Sequence, residues 1–520
     1  MRTNLPPSIF NDVVGPVMRG PSSSHSAAAA RIGLLIHDLC GGVPDRVVID
    51  YDTMGSLATT HTSQGTDIGL YGGLLGWTPD DHRIPESPAA LRDHGTTVEV
   101  RYPRLDDAHP NTYRIAAMRD GSAHDIVAVS TGGGMIEVTR LDGIEVRLFG
   151  DYVVTLVVAD EANTDLGTAI DELDGVETHD HAGASPQLHI LMSRDRLDSS
   201  GLEQIAGVRA VHRLRAVLPV ISRRDMSVPF EHASQLLPNE DLSRRPLSDW
   251  ALDYETARGG IRERQVLDQA TALIGIMRRG VETGLHGTEY EDRILGWQSG
   301  RFVQLASDGR LLDGGLLNQM IGYVTALMEA KSAMEVIVAA PTAGSCATFP
   351  GALLAAVDQL AADDDRAARA LLTGGLIGVF VTNRSSFAAE VGGCQAETGA
   401  GAAMAAAALV ELAGGTAAQS LSAASQALQN VLGLVCDPIG NRVEAPCLGR
   451  NVTGAANALS CANMALAGYD HLVPLDEVLD AHRSISEMMP RELCCTGLGG
   501  LAITPTAQRI ELGLKRSAPS

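Results

Sequence analysis

An N-terminal α+β domain, a central βαββαβ module and a C-terminal all-helical domain make up the multidomain fold that the sequence predicts. Three observations carry it. A chain of 520 residues is too long for one hydrophobic core. Through Leu148, short runs rich in β-branched residues alternate with turns rich in glycine and proline. From Tyr254 onward apolar residues recur at helical spacing, with alanine-rich stretches at Ala352–Ala370 and Ala402–Ala413.

The first domain covers residues 1–149. Its strands are expected at Arg46–Tyr51, Thr96–Tyr102 and Ile144–Leu148. Its first helix opens at Ser24 or Ser26 and runs through Cys40, with good helix formers from Ala27 to Arg31. Residues 150–222 follow with a strand at Tyr152–Ala159, a helix at Asp165–Leu173 and a strand at Gln187–Ser193. Leu202–Ala206 and then Val208–Leu218 complete that pattern. Residues 223–247 read as a polar linker carrying Pro229, Pro238 and Pro246, and residues 248–520 as the helical domain.

Bulk properties exclude several classes. A formal net charge of −23 repels nucleic-acid phosphates and anionic lipid, so neither is an expected partner. No apolar segment follows a basic start, and Pro6-Pro7 interrupts the opening residues, so no secretory signal is expected. The longest apolar run, Gly399 to Val410, stops at Glu411 and is too short to span a bilayer. Eight scattered cysteines do not form a secreted disulfide framework, and a cytoplasmic location fits them. Lys331 and Lys515 are the only lysines, and neither sits in a motif suited to a Schiff base, which disfavours pyridoxal phosphate.

Three cysteines have unusual surroundings. Cys394 lies in Glu390-Val391-Gly392-Gly393-Cys394-Gln395-Ala396-Glu397, Cys436 in Cys436-Asp437-Pro438-Ile439-Gly440, and Cys447 in Ala445-Pro446-Cys447, with Arg450 and Asn451 close behind. Intervals of 41 and 10 residues match no standard ferredoxin or zinc pattern. Spacing alone favours small buried hydrophobes. Gly20-Pro21-Ser22-Ser23-Ser24-His25-Ser26 suits a helix start whose free amides attract an anion, with His25 placed for acid–base work. Taken by itself, it reads as an ordinary cap beside a surface histidine.

Together with Ala340-Pro341-Thr342-Ala343-Gly344-Ser345, Gly499-Gly500-Leu501-Ala502 and Thr504-Pro505-Thr506, these motifs resemble the iron–sulfur-dependent L-serine dehydratases over nearly the whole chain. The resemblance implies a beta-type domain at the N-terminus and an alpha-type catalytic domain at the C-terminus. It implies that Cys394, Cys436 and Cys447 hold a [4Fe-4S] cluster by three corners, leaving the fourth iron as a Lewis acid. The implied reaction deaminates L-serine, the small amino-acid substrate, to pyruvate and ammonia. His25, Ser24 and His61 are then the catalytic candidates. Ser22, Ser23, Ser56, Thr66, Asp67, Pro341, Thr342, Ala343, Gly344 and Ser345 are candidates for substrate binding. Glu390, Gln395 and Glu397 are either supporting partners of the cluster ligands or helix-capping carboxylates and amides. His109-Pro110-Asn111-Thr112 and Ser130-Thr131-Gly132-Gly133-Gly134 also match, as scaffold.

The central module resembles an ACT domain, which commonly binds an amino acid and regulates its enzyme. The Pro-Gly usual in its first loop is missing from Asp160 to Gly167, leaving effector binding and a structural role both open. Family and module together imply a homodimer. Four features depart from the family pattern and are expected near the cleft: Gln64 where a histidine is usual, Cys494-Cys495-Thr496, Gln298-Ser299-Gly300, and Cys346. They keep alive elimination from threonine, cysteine or another β-substituted amino acid, and a sensor that has lost the chemistry. Cys346, Cys494 and Cys495 are also candidates for a fourth cluster ligand, while Cys40 and Cys461 are assigned to core packing.

Overall fold

The computed structural model describes residues 5–160, 164–183, 186–236, 244–291 and 293–517. The chain begins with a π-helical turn, Ile9–Val13, capped by the Ser8 side chain, and a short strand β1 (Val17–Met18). A second π turn, Ser23–Ala27, leads into α1 (Ala28–Leu39). The expected helix therefore starts regularly only at Ala28, because the serine-rich residues before it take the wider turn.

Next come β2 (Arg46–Asp50), α2 (Leu57–Thr60), α3 (Thr66–Leu74), α4 (Ser87–Asp93), β3 (Thr97–Arg101), β4 (Thr112–Arg119), β5 (Ser122–Gly132), β6 (Met135–Leu141) and β7 (Ile144–Leu148). The six strands form one sheet in the order β3-β2-β4-β5-β6-β7, in which only β2–β3 is parallel. α1 and α3 cover it, sharing a core that includes Ile32, Ile36, Leu70, Ile49, Ile115 and Ala128. Three strands match the expected segments to within a residue. β4, β5 and β6 were not anticipated, because arginine, histidine and aspartate interrupt their apolar alternation.

The middle module contains β8 (Val153–Ala159), α5 (Thr164–Asp171), β9 (Val176–Ala182), β10 (Gln187–Ser193) and β11 (Val208–Leu214). Its strands are all antiparallel in the order β11-β8-β10-β9. β9 fills the second strand position of the expected βαββαβ pattern, to which no residues were assigned, and the second helix is a single 3₁₀ turn, Leu202–Gln204. Residues 161–163, in the loop lacking Pro-Gly, lie outside the described residues.

The rest is helical apart from β12 (Ile337–Val338). Before it come α6 (Leu247–Gly259), α7 (Glu263–His286), α8 (Ser299–Ser307) and α9 (Leu316–Ser332). After it come α10 (Thr348–Gln359), α11 (Asp364–Arg384), α12 (Ala389–Cys394), α13 (Ala400–Leu412), α14 (Ala417–Gln429), α15 (Cys447–Leu466), α16 (Leu475–Met488) and α17 (Pro505–Ser517). α13, apolar on every side, is the buried central helix and touches α10, α11, α14 and α15. Among the described residues, no helix is long and apolar enough to cross a membrane.

The N-terminal segment is part of this helical core. Ile9, Phe10, Val13 and Met18 are buried there, and β1 pairs with β12. Gly375 and Gly378 on α11 make room: a β-carbon on either would overlap Ile9 or Val13. Glu255 on α6 accepts the Ser8 hydroxyl at 2.5 Å and the Ile9 amide at 2.8 Å.

α1 and α3 meet backbone to backbone. A β-carbon at Gly69 would overlap the Ser26 carbonyl, one at Gly73 the Ala30 carbonyl, and one at Gly33 the Leu70 carbonyl. Backbone cannot swing aside as a long side chain can, so Gly69→Ala should destabilise the protein by about 1–3 kcal/mol. Urea denaturation of the variant measures this; an unchanged midpoint would contradict the close contact.

Candidate active site

Cys436, Cys447 and Cys495 line a small cavity with Ser22, Gln64, Gly344, Glu390 and Glu397. Cys394 packs against Cys436 and Cys495 beside it. The sulfurs of Cys394 and Cys436 and a carboxylate oxygen of Glu397 lie within 4.8 Å of one another. Several thiols converging with a carboxylate suit a thiophilic metal. The three sequence-nominated cysteines are thus brought together, in a buried site.

Local backbone explains how each arrives. Gly393, at φ 68°, turns the end of α12 so that Cys394 faces inward; a β-carbon there would meet Leu434 and Met489. A third π turn, Gln395–Gly399, follows at once and carries Glu397. Such turns widen a helix and recur at functional sites. Cys436 donates its amide to the Leu493 carbonyl at 2.8 Å and accepts the Cys495 amide at 2.9 Å. That pairing holds Cys495 at φ 60°, a left-handed conformation that costs a cysteine about 1 kcal/mol or more. Cys447 opens α15. One turn later, the Asn451 amide donates to the carbonyls of Cys447 and Gly344, both at 2.9 Å, and its oxygen accepts the Thr348 amide at 3.0 Å. Asn451 therefore clamps the 341–348 loop onto the helix that begins with Cys447.

The thiols differ electrostatically. A hydrogen bond from Cys436 and the Arg450 guanidinium, 3.4 Å from its sulfur, hold Cys394 below the ordinary thiol range. Bonds to Cys394 and Cys495 push Cys436 well up, and burial pushes Cys447 up. Cys394 is the first of the set to ionise. Arg450 is itself fixed by Asp437 at 2.5 Å and the Val435 carbonyl at 2.8 Å. Burial, then the Cys394 charge, raises Glu397 to about 8, opposed by the Thr342 hydroxyl that donates to it at 2.6 Å.

His25 is completely buried. Its Nε2 lies 2.9 Å from the Thr60 hydroxyl, which already donates its proton to the Ser56 carbonyl at 2.7 Å. The hydrogen-bond pattern therefore assigns the ring proton to Nε2, leaving Nδ1 to accept from Ser22 at 2.9 Å. Glu390 faces the same Nδ1 at 3.7 Å. Burial, with a smaller contribution from His61, lowers the His25 pKa to about 3, and burial raises that of Glu390. His25 is thus neutral near neutrality and Glu390 is biased toward its protonated form, with the basic imidazole nitrogen toward the cavity wall.

The other nominated residues separate into two groups. Ser23 accepts the Ala343 amide at 3.2 Å, joining the serine loop to the 341–345 loop, and Ser24 and Asn111 reach toward Glu390. Ser345 donates its amide to the Thr342 hydroxyl oxygen at 3.2 Å. The Thr342 hydroxyl and Ala343 amide, expected to hold substrate, are therefore committed to internal bonds. Pro341 follows β12 in the same loop, and Gly133 approaches its carbonyl. His61 does not line the cavity: its Nδ1 bonds Asp67 at 2.8 Å and its Nε2 the Tyr102 hydroxyl at 2.7 Å, on a partly exposed face. Asp67 goes with it. Thr66 packs beside Tyr113, and Ser56 is buried at the start of α2. Gln395 is turned away, donating to Ser486 at 2.8 Å and accepting from Gly433 at 2.8 Å.

Two of the four departures reach the cavity. Gln64 lines it, with its amide 3.7 Å from the Cys495 sulfur. Cys494 instead points to the Val391 carbonyl. Cys346 is buried in the helical core, its thiol pushed up to about 12 by burial. Gln298-Ser299-Gly300 does not line the cavity, contrary to expectation; the Gln298 amide and Ser299 hydroxyl bond Glu329 at 2.6 and 2.5 Å. Sequence reasoning did not assign the roles of Arg450, Asn451 and Lys331. The one available signal was a lysine inside an apolar helical run of a chain with only two lysines.

Residues 180–502 match the family model of the serine dehydratase alpha chain. The probable L-serine dehydratase alpha chain of Bacillus subtilis is 41% identical over 282 residues, covering 54% of this chain and 94% of that protein. The probable beta chain from the same organism is 40% identical over 151 residues, covering 29% and 67%. The L-serine dehydratase of Mycobacterium tuberculosis is 28% identical over 506 residues, covering 95% and 97%.

The His25 environment makes a stability prediction. An unfolded histidine takes up a proton near pH 6.5, whereas the folded one does so only near 3. This contribution is complete above pH 6.5 and is lost as pH falls toward 3, by up to about 1.4 kcal/mol per unit. His25→Asn should lose less stability between pH 7 and pH 5 than the native protein in urea titrations. Parallel pH profiles would overturn the assignment.

Proposed function

Because the chain belongs to the serine dehydratase alpha-chain family, we propose that it is an L-serine ammonia-lyase, forming pyruvate and ammonia. The observation that carries this reading is convergence: the His25 loop from one end of the chain and the cysteines from the other wall one buried cavity. The reaction removes the α-proton and the β-hydroxyl of serine as water. The resulting enamine tautomerises, and water hydrolyses the imine to the 2-oxo acid and ammonia.

The donor set fits a [4Fe-4S] cluster held by Cys394, Cys436 and Cys447, and such a cluster supplies a Lewis acid for the departing hydroxyl. Arg450 supports this by favouring the ionised form of Cys394, and Asn451 by fixing the start of α15. His25 is the leading base. Its Nδ1 lone pair faces Ser22 and Glu390 at the cavity wall, so a proton can be accepted there directly or through the serine hydroxyl. Glu390 is placed to balance the imidazolium that results. Ser23, Ser24 and the 341–345 loop shape the pocket and exclude water.

Gln64 and Cys495, both at the cavity wall, favour a second reading in which a related β-substituted amino acid is the better substrate. Comparison of kcat/KM for serine, threonine and cysteine separates the two. The antiparallel module, with its β11-β8-β10-β9 order, supports an ACT-like role in regulation or dimerisation. A homodimer working in the cytoplasm completes the proposal.

Anaerobically purified protein should be brown and should convert serine to pyruvate. Cys436→Ala should lose most of its iron and all turnover. His25→Asn should keep its iron while kcat falls by about 10²–10⁴. Native turnover in a Cys436→Ala protein devoid of iron would refute the metal-dependent reading.

A further inference from the structure

Lys331, near the end of α9, is a buried cation for which the reaction described above has no use. Its side chain is wholly inaccessible, and Nζ donates a hydrogen bond to the Val443 carbonyl. Among the described residues no carboxylate lies within ion-pair distance of it. A buried ammonium satisfied by a lone neutral acceptor is costly, and such charges are ordinarily kept only where an opposite charge compensates them.

Its surroundings indicate what that charge is. Lys331 acts electrostatically on Cys447, Cys346 and Glu397. Cys346 is a buried thiol among apolar neighbours, and the Glu397 carboxyl is engaged by Thr342. Cys447, once bound to metal, would be a permanent thiolate. Val443, whose carbonyl Lys331 holds, lines the same cavity as Cys447. The intervening Glu444 is anchored independently by the Tyr290 hydroxyl at 2.8 Å and the Leu295 amide at 2.6 Å. One side chain thus fixes the segment leading to Cys447 and places a positive charge at the wall of the cavity that Cys447 lines.

We propose that Lys331 is a positioning residue and the buried counter-charge for the metal-bound thiolate of Cys447. This deepens the cluster reading and rests on it. A lysine that only held the Val443 carbonyl would be replaced by glutamine without loss, since glutamine keeps a donor and avoids the cost of burying a charge. A counter-charge would not.

The test compares Lys331→Met and Lys331→Gln with the native protein after anaerobic reconstitution with iron and sulfide. The readouts are iron per chain, visible absorption, the rate of iron release to a chelator, and the melting temperature of the metal-free forms. Metal-free Lys331→Gln should melt at or above the native temperature. Both loaded variants should release iron at least about tenfold faster. Glutamine keeps a donor for Val443 and lacks the charge, and it serves if the methionine variant does not fold. A glutamine variant that retains iron as long as the native protein overturns the counter-charge role. Native protein that takes up no iron removes the cluster reading itself, a distinguishable failure.

Discussion

Ile9, Phe10, Val13, Val14, Met18 and Ala27 lie in a core otherwise built mostly from residues after Leu247, and the cavity depends on that burial. Ile9 and Val13 occupy notches that two glycines leave on α11, Glu255 holds the Ser8–Ile9 turn, and β1 completes a two-strand ladder with β12. These contacts fix the exit direction of Gly20–Ser26. The glycine seam between α1 and α3 then sets where Thr60 and Gln64 meet that loop. Remove the burial, and His25 has no fixed relation to any cysteine.

Electrostatics inside the cavity follow from the same burial. Carboxyls and imidazole shift toward their neutral forms because water is excluded, while Cys394 shifts toward its charged form because Arg450 and Cys436 donate to it. The site thus concentrates charge on sulfur. Its acid–base groups are biased toward their uncharged forms, in which they can exchange a proton when substrate enters. A net charge of −23 spread over the chain does not produce that pattern; a few donors at fixed distances do.

Much of this was legible in the sequence, and for identifiable reasons. Local pattern alone reads Cys394, Cys436 and Cys447 as small buried hydrophobes and His25 as a surface residue beside a cap; the resemblance of their motifs to the serine dehydratases is what nominates them. The helical character of the last domain followed from periodicity. The β4–β6 strands did not, since charged residues on the solvent face hide the alternation. His61 was nominated by its closeness in sequence to Gly65-Thr66-Asp67, but the single turn of α2 points it outward to Asp67 and Tyr102. The committed hydroxyl of Thr342 and the clamp by Asn451 were invisible because each joins residues far apart in sequence, 55 and 107 positions respectively.

The notches on α11 have a temporal consequence. During synthesis Ile9 and Val13 leave the ribosome about 365 residues before Gly375 and Gly378. At about 5–20 residues per second, that leaves a strongly apolar leader without its binding groove for some tens of seconds. Residues made long before their groove are thus among the last to settle, and their settling closes the chamber.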